Sequence, residues 1–404
     1  MKIAVIGGGA AGFFSALAVK ENFPFAEVVI FEKLQRVLYK VKISGGGRCN
    51  VTHACSTVDE LCDGYPRGGR NLKKIFHVFN NNDVMSWFEV RGVPLVIQDD
   101  GCVFPASQSS SSIIDCFYRE TKRMGIEIRK GAGIKAVRPV ENSLEVIFEK
   151  DGSSPLIFDK VIVTTGGSPR KSGLLWLENL GHEISDPVPS LFTFNMPDEP
   201  VTCLMGVVVE NTMVSIQGTN LKSEGPLLIT HWGMSGPAVI NLSSYGARIL
   251  HEKGYDFKIQ VNWVNERNND TVSNELKCIA AIHTDKIISN YRPYALPARL
   301  WNYLVEKCGL SGKMTWGGLG RKGMNQLSSV LTNDVYSVKG QTTFREEFVT
   351  CGGVSLGSID MKTMQSRVCR NLYFAGEILD IDGITGGYNF QCAWTTGFIA
   401  AKLK

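Results

Sequence analysis

The opening of the chain, KIAVIGGGAAGFFSALAV running on to VVIFEK, restricts its fold more than any other stretch. Residues 2–6 are an apolar, strand-like run, and Gly7, Gly9 and Gly12 then fall in G-x-G-x-x-G spacing. A helical pattern follows, then a second strand at 27–31 that ends on Glu32, twenty residues beyond Gly12. Each part has a mechanical reason. The first glycine allows a tight turn, the second lets backbone approach a pyrophosphate, and the third packs helix on strand. The helix start offers unpaired N–H groups and a positive dipole end to phosphates. Glu32 is placed to accept hydrogen bonds from an adenosine ribose. A glycine-rich turn that binds nothing has no need of the whole strand–loop–helix–strand–acid unit. The predicted fold class is α/β, with a Rossmann-type dinucleotide-binding domain.

At 404 residues the chain exceeds one ordinary core, so two or three domains are expected. A net charge of +4 is slight for this length and does not argue for a nucleic-acid or membrane partner. No apolar run reaches the roughly 18 residues of a membrane-spanning helix. Lys2 before an apolar stretch resembles a signal peptide, but the glycines break that stretch early and the nucleotide-binding unit explains it. The eleven cysteines are odd in number, scattered and without a C-x-x-C pair. That pattern suits free thiols in a reducing cytoplasm, the expected location, and excludes a thioredoxin-like exchanger.

Residues 1–190 alternate between strand and helix patterns. A basic, glycine-rich loop occupies 40–50, a polar helix is expected near 70–91, and the serine run before Ile113 caps a helix over 109–123. Segments 126–129, 144–149 and 156–163 read as strands, and VIVTTGG (161–167) ends in the glycines typical of a ligand-facing strand end. After Pro187 and Pro189 the texture becomes β-branched and alternating to about 262, then helical to about 335, with 296–310 amphipathic. From Thr342 strand and glycine return. The expected domains are therefore 1–189 with 342–404 around the cofactor, an inserted β-rich, barrel-like substrate domain at 190–262, and a helical subdomain at 263–341.

The C-terminal segment selects the nucleotide. LYFAGE (372–377) is a short strand ending in Gly376 and Glu377, and DGITGGYNFQCAWTTGFIAA (382–401) opens a second glycine-led helix. A nicotinamide dehydrogenase needs one nucleotide-gripping end, whereas FAD, stretched across a sheet, uses two. N–H groups near Gly387, Tyr388 and Asn389 would face the flavin pyrimidine, where the dipole stabilises the charge of a reduced ring. Glu377 would bind ribityl hydroxyls.

These residues, with SGGGRCNVTH (44–53), VFPAS (103–107), THWGMSGPA (230–238), VTCGGVSL (349–356) and TMQSR (363–367), carry a resemblance to the aminoacetone-oxidase-like family of bacterial NAD(P)/FAD-dependent oxidoreductases. The resemblance spans nearly the whole chain. It implies non-covalent FAD, a two-lobed fold and an inserted substrate domain covering the flavin. Carried onto this sequence, it implies cofactor contacts at Gly7, Gly9, Ala11, Gly12, Glu32, Lys33 and Lys40. It adds Ser44, Gly45, Gly46, Arg48, Cys49 and Asn50, the backbone near Ile134, Thr165 and Gly166. At the far end it adds Gly376, Glu377, Gly387, Tyr388, Asn389 and Phe390. Phe390 stands where the family pattern has Leu, and the match across 265–300 is looser.

A second G-x-G-x-x-G at Gly318, Gly320 and Gly323 lacks a preceding strand and a following acid, and reads as a loop between helices. Cys49, His53, Cys55 and Cys62 lack the paired spacing of a zinc site, so no metal is expected. His231, before a helix expected to begin at Pro237, is a candidate general base, because histidine titrates near neutrality. Tyr388 and Asn389 are further candidates to act on substrate. Cys351 lies in a turn approaching the flavin, without a neighbour that activates its thiol. The expected activity is hydride transfer between a small organic substrate, an amine or aminoketone by resemblance, and flavin N5, with molecular oxygen, a quinone or NAD(P)H (the last as a transient reductant) left open as the partner that completes the cycle. Two rivals are an RNA-modifying flavoprotein, disfavoured by the absence of a concentrated Lys/Arg tract, and a flavin-binding protein without turnover.

Overall fold

A computed structural model describes residues 1–266, 268–342 and 349–404. In it the opening strand β1 (Lys2–Ile6), helix α1 (Ala10–Asn22) and strand β2 (Glu27–Glu32) follow the boundaries that the apolar pattern sets. Strands β3 (Glu127–Lys130), β4 (Lys160–Val163) and β5 (Leu372–Phe374) join them as the five parallel strands, ordered β5-β4-β1-β2-β3, of a seven-stranded sheet that Gln365–Ser366 and Ile359–Asp360 extend antiparallel beyond β5. The chain forms two compact units, Met1–Ser190 with Arg345–Lys404, and Leu191–Phe344.

In the first unit both extremities of the sequence share one core. α1 is buried along most of its length, because the sheet lies on one side and the final helix, Tyr388–Ala400, on another. Small residues permit the approach: a Cβ at Gly376 would sit 2.8 Å from the Ala11 Cβ, and one at Gly397 would sit 2.9 Å from Ser15 Oγ. Phe14 packs 5.5 Å from Trp394 and 4.7 Å from Trp87, with Phe117 5.7 Å from Trp394, an aromatic layer stitched from four distant segments.

Two local readings are refined. The single strand expected at 156–163 is two, Leu156–Phe158 in a three-stranded side sheet and β4 in the main one. The break falls at Asp159, whose carboxylate accepts the Lys2 amide at 2.6 Å. The polar helix near 70–91 is also two, Gly69–Phe76 and Asn81–Glu89, restarted by a capping box between Asn80 and Asp83.

The second unit has a seven-stranded sheet, all of whose strand pairs are antiparallel. Strand Asp334–Lys339, from the stretch read as helical, pairs along its length with Asp256–Asn262. Sheet and helices share one core through Trp263, Trp301, Trp316 and Leu327. Inside it Asp334 accepts from Lys307 Nζ at 2.5 Å, from Trp263 Nε1 at 3.0 Å and from the Tyr336 hydroxyl.

Burial also creates a pH-sensitive element in the first unit. His182 Nδ1 faces the Leu177 carbonyl at 3.0 Å and so must carry the proton, while Nε2 accepts from the Ser366 hydroxyl at 2.8 Å. Burial pushes its pKa below the ordinary 6.5, outweighing the carbonyl's opposing effect. The unfolded chain therefore binds a proton that the folded chain refuses, so stability falls as pH drops below about 6.5. Thermal unfolding between pH 7.5 and 5 is expected to show this decline, and His182→Gln is expected to flatten it. An unchanged slope in that variant would assign the decline to other groups.

Candidate functional site

The site grows from the turn between β1 and α1. Gly7 holds φ +119°, and a Cβ there would lie 2.3 Å from the Thr164 carbonyl oxygen; one at Gly12 would lie 1.9 Å from the Gly7 carbonyl oxygen. Only glycine fits either place. Gly9 differs: a Cβ there would meet no protein atom within 4 Å, so the second glycine borders open space. Thr164 donates to the Ile6 and Gly7 carbonyls at 3.0 Å, pinning the turn to the end of β4. Glu32 accepts the Gly8 amide at 2.8 Å and the Leu34 amide at 2.8 Å, so it braces the loop. The Ala132 amide donates to the Glu32 carbonyl, which brings the backbone before Ile134 beside it.

The 40–50 loop is a short helix, Tyr39–Gly47, broken at Ser44–Gly46, where Gly45 and Gly46 adopt left-handed φ of 58° and 68°. Gly46 and Gly47 also border open space. Arg48 is held by the Gly45 carbonyl at 3.1 Å, by Gln108 Oε1 at 3.3 Å and by the face of Phe104. The Cys49 amide donates to the Ser44 carbonyl, and burial pushes its thiol up to about 12, which keeps it protonated and inert. Asn50 Oδ1 accepts the Val103 amide at 3.3 Å.

The final helix meets this loop. Gly387, at φ +97°, is its N-cap; no side chain caps it and no acid lies in its first turn. A Cβ at Gly387 would fall 2.5 Å from the Thr52 carbonyl carbon and 2.8 Å from Asn50 Oδ1. The Trp394 indole donates to the Val51 carbonyl at 2.9 Å, locking helix and loop together. The expected FAD-facing segments at 7–12, 44–50, 164–166, 376–377 and 387–390 thus belong to one unit. Gly166 and Thr165 follow β4; a Cβ at Gly166 would lie 3.9 Å from Glu377 Oε2. Phe390 stacks on Trp394 at 5.6 Å.

Several side chains do work that the spacing does not reveal. Lys40 donates to Glu377 Oε2 at 2.7 Å, so these two expected contacts pair with each other. Lys33 pairs with Glu149 at 2.9 Å. Asn389 uses both amide ends on Gly383, accepting its N–H and donating to its carbonyl at 2.9 Å each, and so fastens the loop instead of reaching outward. Tyr388 is buried, stacked on His53 at 4.8 Å, with its hydroxyl 3.9 Å from Cys55 Sγ. Burial raises its pKa well above the ordinary tyrosine value, which suits a packing role more than proton transfer. His231 belongs to the second unit, exposed at the turn between strands Lys222–Thr230 and Gly233–Ser235, edge-on to Trp232 at 4.4 Å. Among the described residues no His, Cys, Asp or Glu cluster is arranged for a metal ion, and no helix is long and apolar enough to cross a membrane.

Two features escaped the motif search. Thr350 donates its amide to Glu377 Oε1 at 3.0 Å, yet its hydroxyl is buried without a partner among the described residues. Asp382, fully buried, receives a bidentate pair from Arg67 and the Ser190 hydroxyl at 2.8 Å. The glycine-rich VTCGG run hinted at the first; nothing local marks the second. Gly9 on open space, the open 46–47 backbone, the uncapped final helix and the orphan Thr350 hydroxyl together fit an extended dinucleotide. The family model for the HI0933-like protein Rossmann domain matches residues 1–403. The chain belongs to that family.

Within the family's reach, the chain is 27% identical to the 3-dehydro-bile acid delta(4,6)-reductase of Clostridium scindens, over 99% of this chain and 98% of that protein. It is 26% identical to the ribosomal RNA dihydrouridine synthase of Haemophilus influenzae, over 98% and 96%. Among solved structures, 3-ketosteroid delta1-dehydrogenase from Sterolibacterium denitrificans aligns over 99% of this chain and 98% of its own with a TM-score of 0.50. At 11% identity that likeness is one of fold.

Proposed function

We propose that the protein is an FAD-dependent oxidoreductase that works as a reductase of carbon–carbon double bonds conjugated to a carbonyl. The observation that carries the cofactor is the cradle at Gly9, open to a pyrophosphate while Gly7 and Gly12 are closed by protein. Glu32 holds the phosphate loop and keeps lone pairs for the adenosine ribose. The uncapped start of Tyr388–Ala400 offers N–H groups and a positive dipole end to the flavin pyrimidine edge. Bound there, FAD supplies two-electron chemistry at N5.

The two relatives support the choice of reaction. A delta(4,6)-reductase saturates a conjugated alkene, and dihydrouridine arises by saturating the C5–C6 bond of uracil. In both, a hydride adds to one carbon, a proton to its neighbour, and NAD(P)H can supply the electrons. A steroid-like dienone is the first substrate class and a uracil within RNA the second. Tyr388 is committed to packing and Asn389 to its two hydrogen bonds with Gly383, so neither is proposed as the acid–base group. Amine oxidation, implied by the aminoacetone-oxidase-like resemblance, runs the hydride the other way.

Anaerobic stopped-flow mixing separates these directions. Reduced, FAD-loaded protein is expected to regain oxidised-flavin absorbance on mixing with a 3-oxo-4,6-diene steroid or a uridine-containing RNA. If neither reoxidises it while aminoacetone bleaches the oxidised flavin, the reductase reading is lost and the oxidase reading stands.

A further inference from the structure

Between Lys286 and Lys322 stand seven lysines and arginines against one acid, Glu306, a local charge of +6 where the whole chain carries +4. Two of the seven have structural duties. Lys307 pairs with Asp334, and Arg299 donates to the Cys203 and Met205 carbonyls. The other five, Lys286, Arg292, Lys313, Arg321 and Lys322, are all exposed. Among the described residues none of the five has an ion pair. Elsewhere on the surface such pairs are common, as at Lys2–Glu27, Lys73–Asp59 and Lys339–Asp198.

Pairing of the chain sets side by side the two segments from which these five project. Ile287 and Thr315 form an antiparallel bridge, with Trp316 N–H donating to the Lys286 carbonyl at 2.9 Å and Ile288 N–H to the Met314 carbonyl at 2.9 Å. A Cβ at Gly312 would lie 3.8 Å from Ser289 Cβ, so Lys313 sits alongside the strand that leads to Arg292. The turn Trp316–Gly318 then carries the chain directly into Arg321 and Lys322 at the start of helix Gly320–Thr332. Within this end Tyr291, half-buried, packs on His283 with ring centres 4.1 Å apart and ring planes tilted by 37°. The second glycine triplet is no nucleotide fold: its first glycine, Gly318, closes the 3-10 turn Trp316–Gly318, and that turn, not a strand, leads into the helix.

We propose that this end of the second unit docks the phosphate backbone of a structured RNA. Unpaired cations that gain no intramolecular partner lower the cost of meeting phosphates, and Arg offers them a bidentate fork. The Tyr291–His283 pair adds a face on which a base can stack. The choice of RNA over another polyanion rests on the second reading above, but the surface does not depend on the flavin.

The test uses the full, FAD-loaded chain and a fluorescein-labelled RNA stem–loop, read by anisotropy across salt concentrations. Five phosphate contacts predict a slope of log affinity against log salt of about −3.5 to −4.5, on the order of a 100-fold loss from 50 to 200 mM salt. Lys313→Ala/Arg321→Ala/Lys322→Ala is expected to weaken binding at least about 10-fold and to bring the slope to about −1.4 to −1.8. The control Lys74→Ala/Lys122→Ala/Lys253→Ala removes three exposed charges elsewhere and is expected to bind like the parent. Flavin content and flavin reduction by NAD(P)H should be equal in all three proteins, which separates lost docking from lost folding. Equal RNA binding by the two triple variants, or equal competition by phosphatidylglycerol vesicles, would overturn the proposal. RNA binding that survives while no alkene reoxidises the flavin would sink the reductase reading alone.

Discussion

Gly9→Val is expected to yield a folded protein that retains no FAD, whereas Gly7→Ala is expected to lose the fold. The two positions lie two residues apart in one loop and differ in backbone conformation and in what surrounds them. At Gly9 the backbone is extended, with φ −93° and ψ −166°, a conformation valine adopts readily, and its side chain would enter space that no protein atom occupies. Loss of a glycine N-cap costs about 0.5–1 kcal/mol, so urea unfolding should shift only slightly. The isopropyl group would occupy the volume that a pyrophosphate needs. At Gly7 an added methyl meets the Thr164 carbonyl at 2.3 Å, with φ at +119°, and neither backbone can yield without parting β1 from β4. Strain and overpacking together are on the order of 3 kcal/mol or more. Flavin-to-protein ratio after FAD incubation and gel filtration, alongside the unfolding midpoint, separates the two effects. Stoichiometric FAD on Gly9→Val would remove the pyrophosphate from this loop.

Asp382→Ala is expected to cost about 3–5 kcal/mol of stability, because it strands the Arg67 guanidinium without its carboxylate. Asp382 is fully buried and Arg67 partly so, and Ser190 adds a hydrogen bond at 2.8 Å. Burial pushes the Asp382 carboxyl above the ordinary aspartate range, and the Arg67 pairing opposes that without reversing it. The desolvation cost of the pair therefore offsets much of its attraction. It follows that Arg67→Met/Asp382→Leu should recover most of the loss, since replacing both charges removes the desolvation cost along with the attraction. Denaturant midpoints of the single and double variants measure this. A single variant within 1 kcal/mol of the parent would show that Arg67 finds other partners.

The first strand–loop–helix–strand unit was legible because its rules are local. Gly12 and Glu32 answer to neighbours within a single supersecondary unit, whereas the steric wall that closes Gly7 comes from Thr164 beyond β4. The glycine-led final helix was legible on the same ground. Less so were the commitments of polar side chains. Lys40 and Glu377 are 337 positions apart, and only folding makes them each other's partner. Asn389 looked outward-facing because its tie to Gly383 depends on a loop curling back over six residues. The orphan Thr350 hydroxyl could not be anticipated, since an unmet hydrogen bond is a property of the surroundings.

The sequence by itself determined the Rossmann-type dinucleotide unit, the use of both chain ends and the helix and strand periodicities, because backbone sterics and alternation of apolar residues act over a few positions. Tertiary structure alone decided which charges are neutralised and which stand together. The cations of 286–322 read as scattered along the chain, and only an antiparallel bridge sets the segments that carry them side by side, which matters because electrostatic potential sums over space and takes no account of order in sequence.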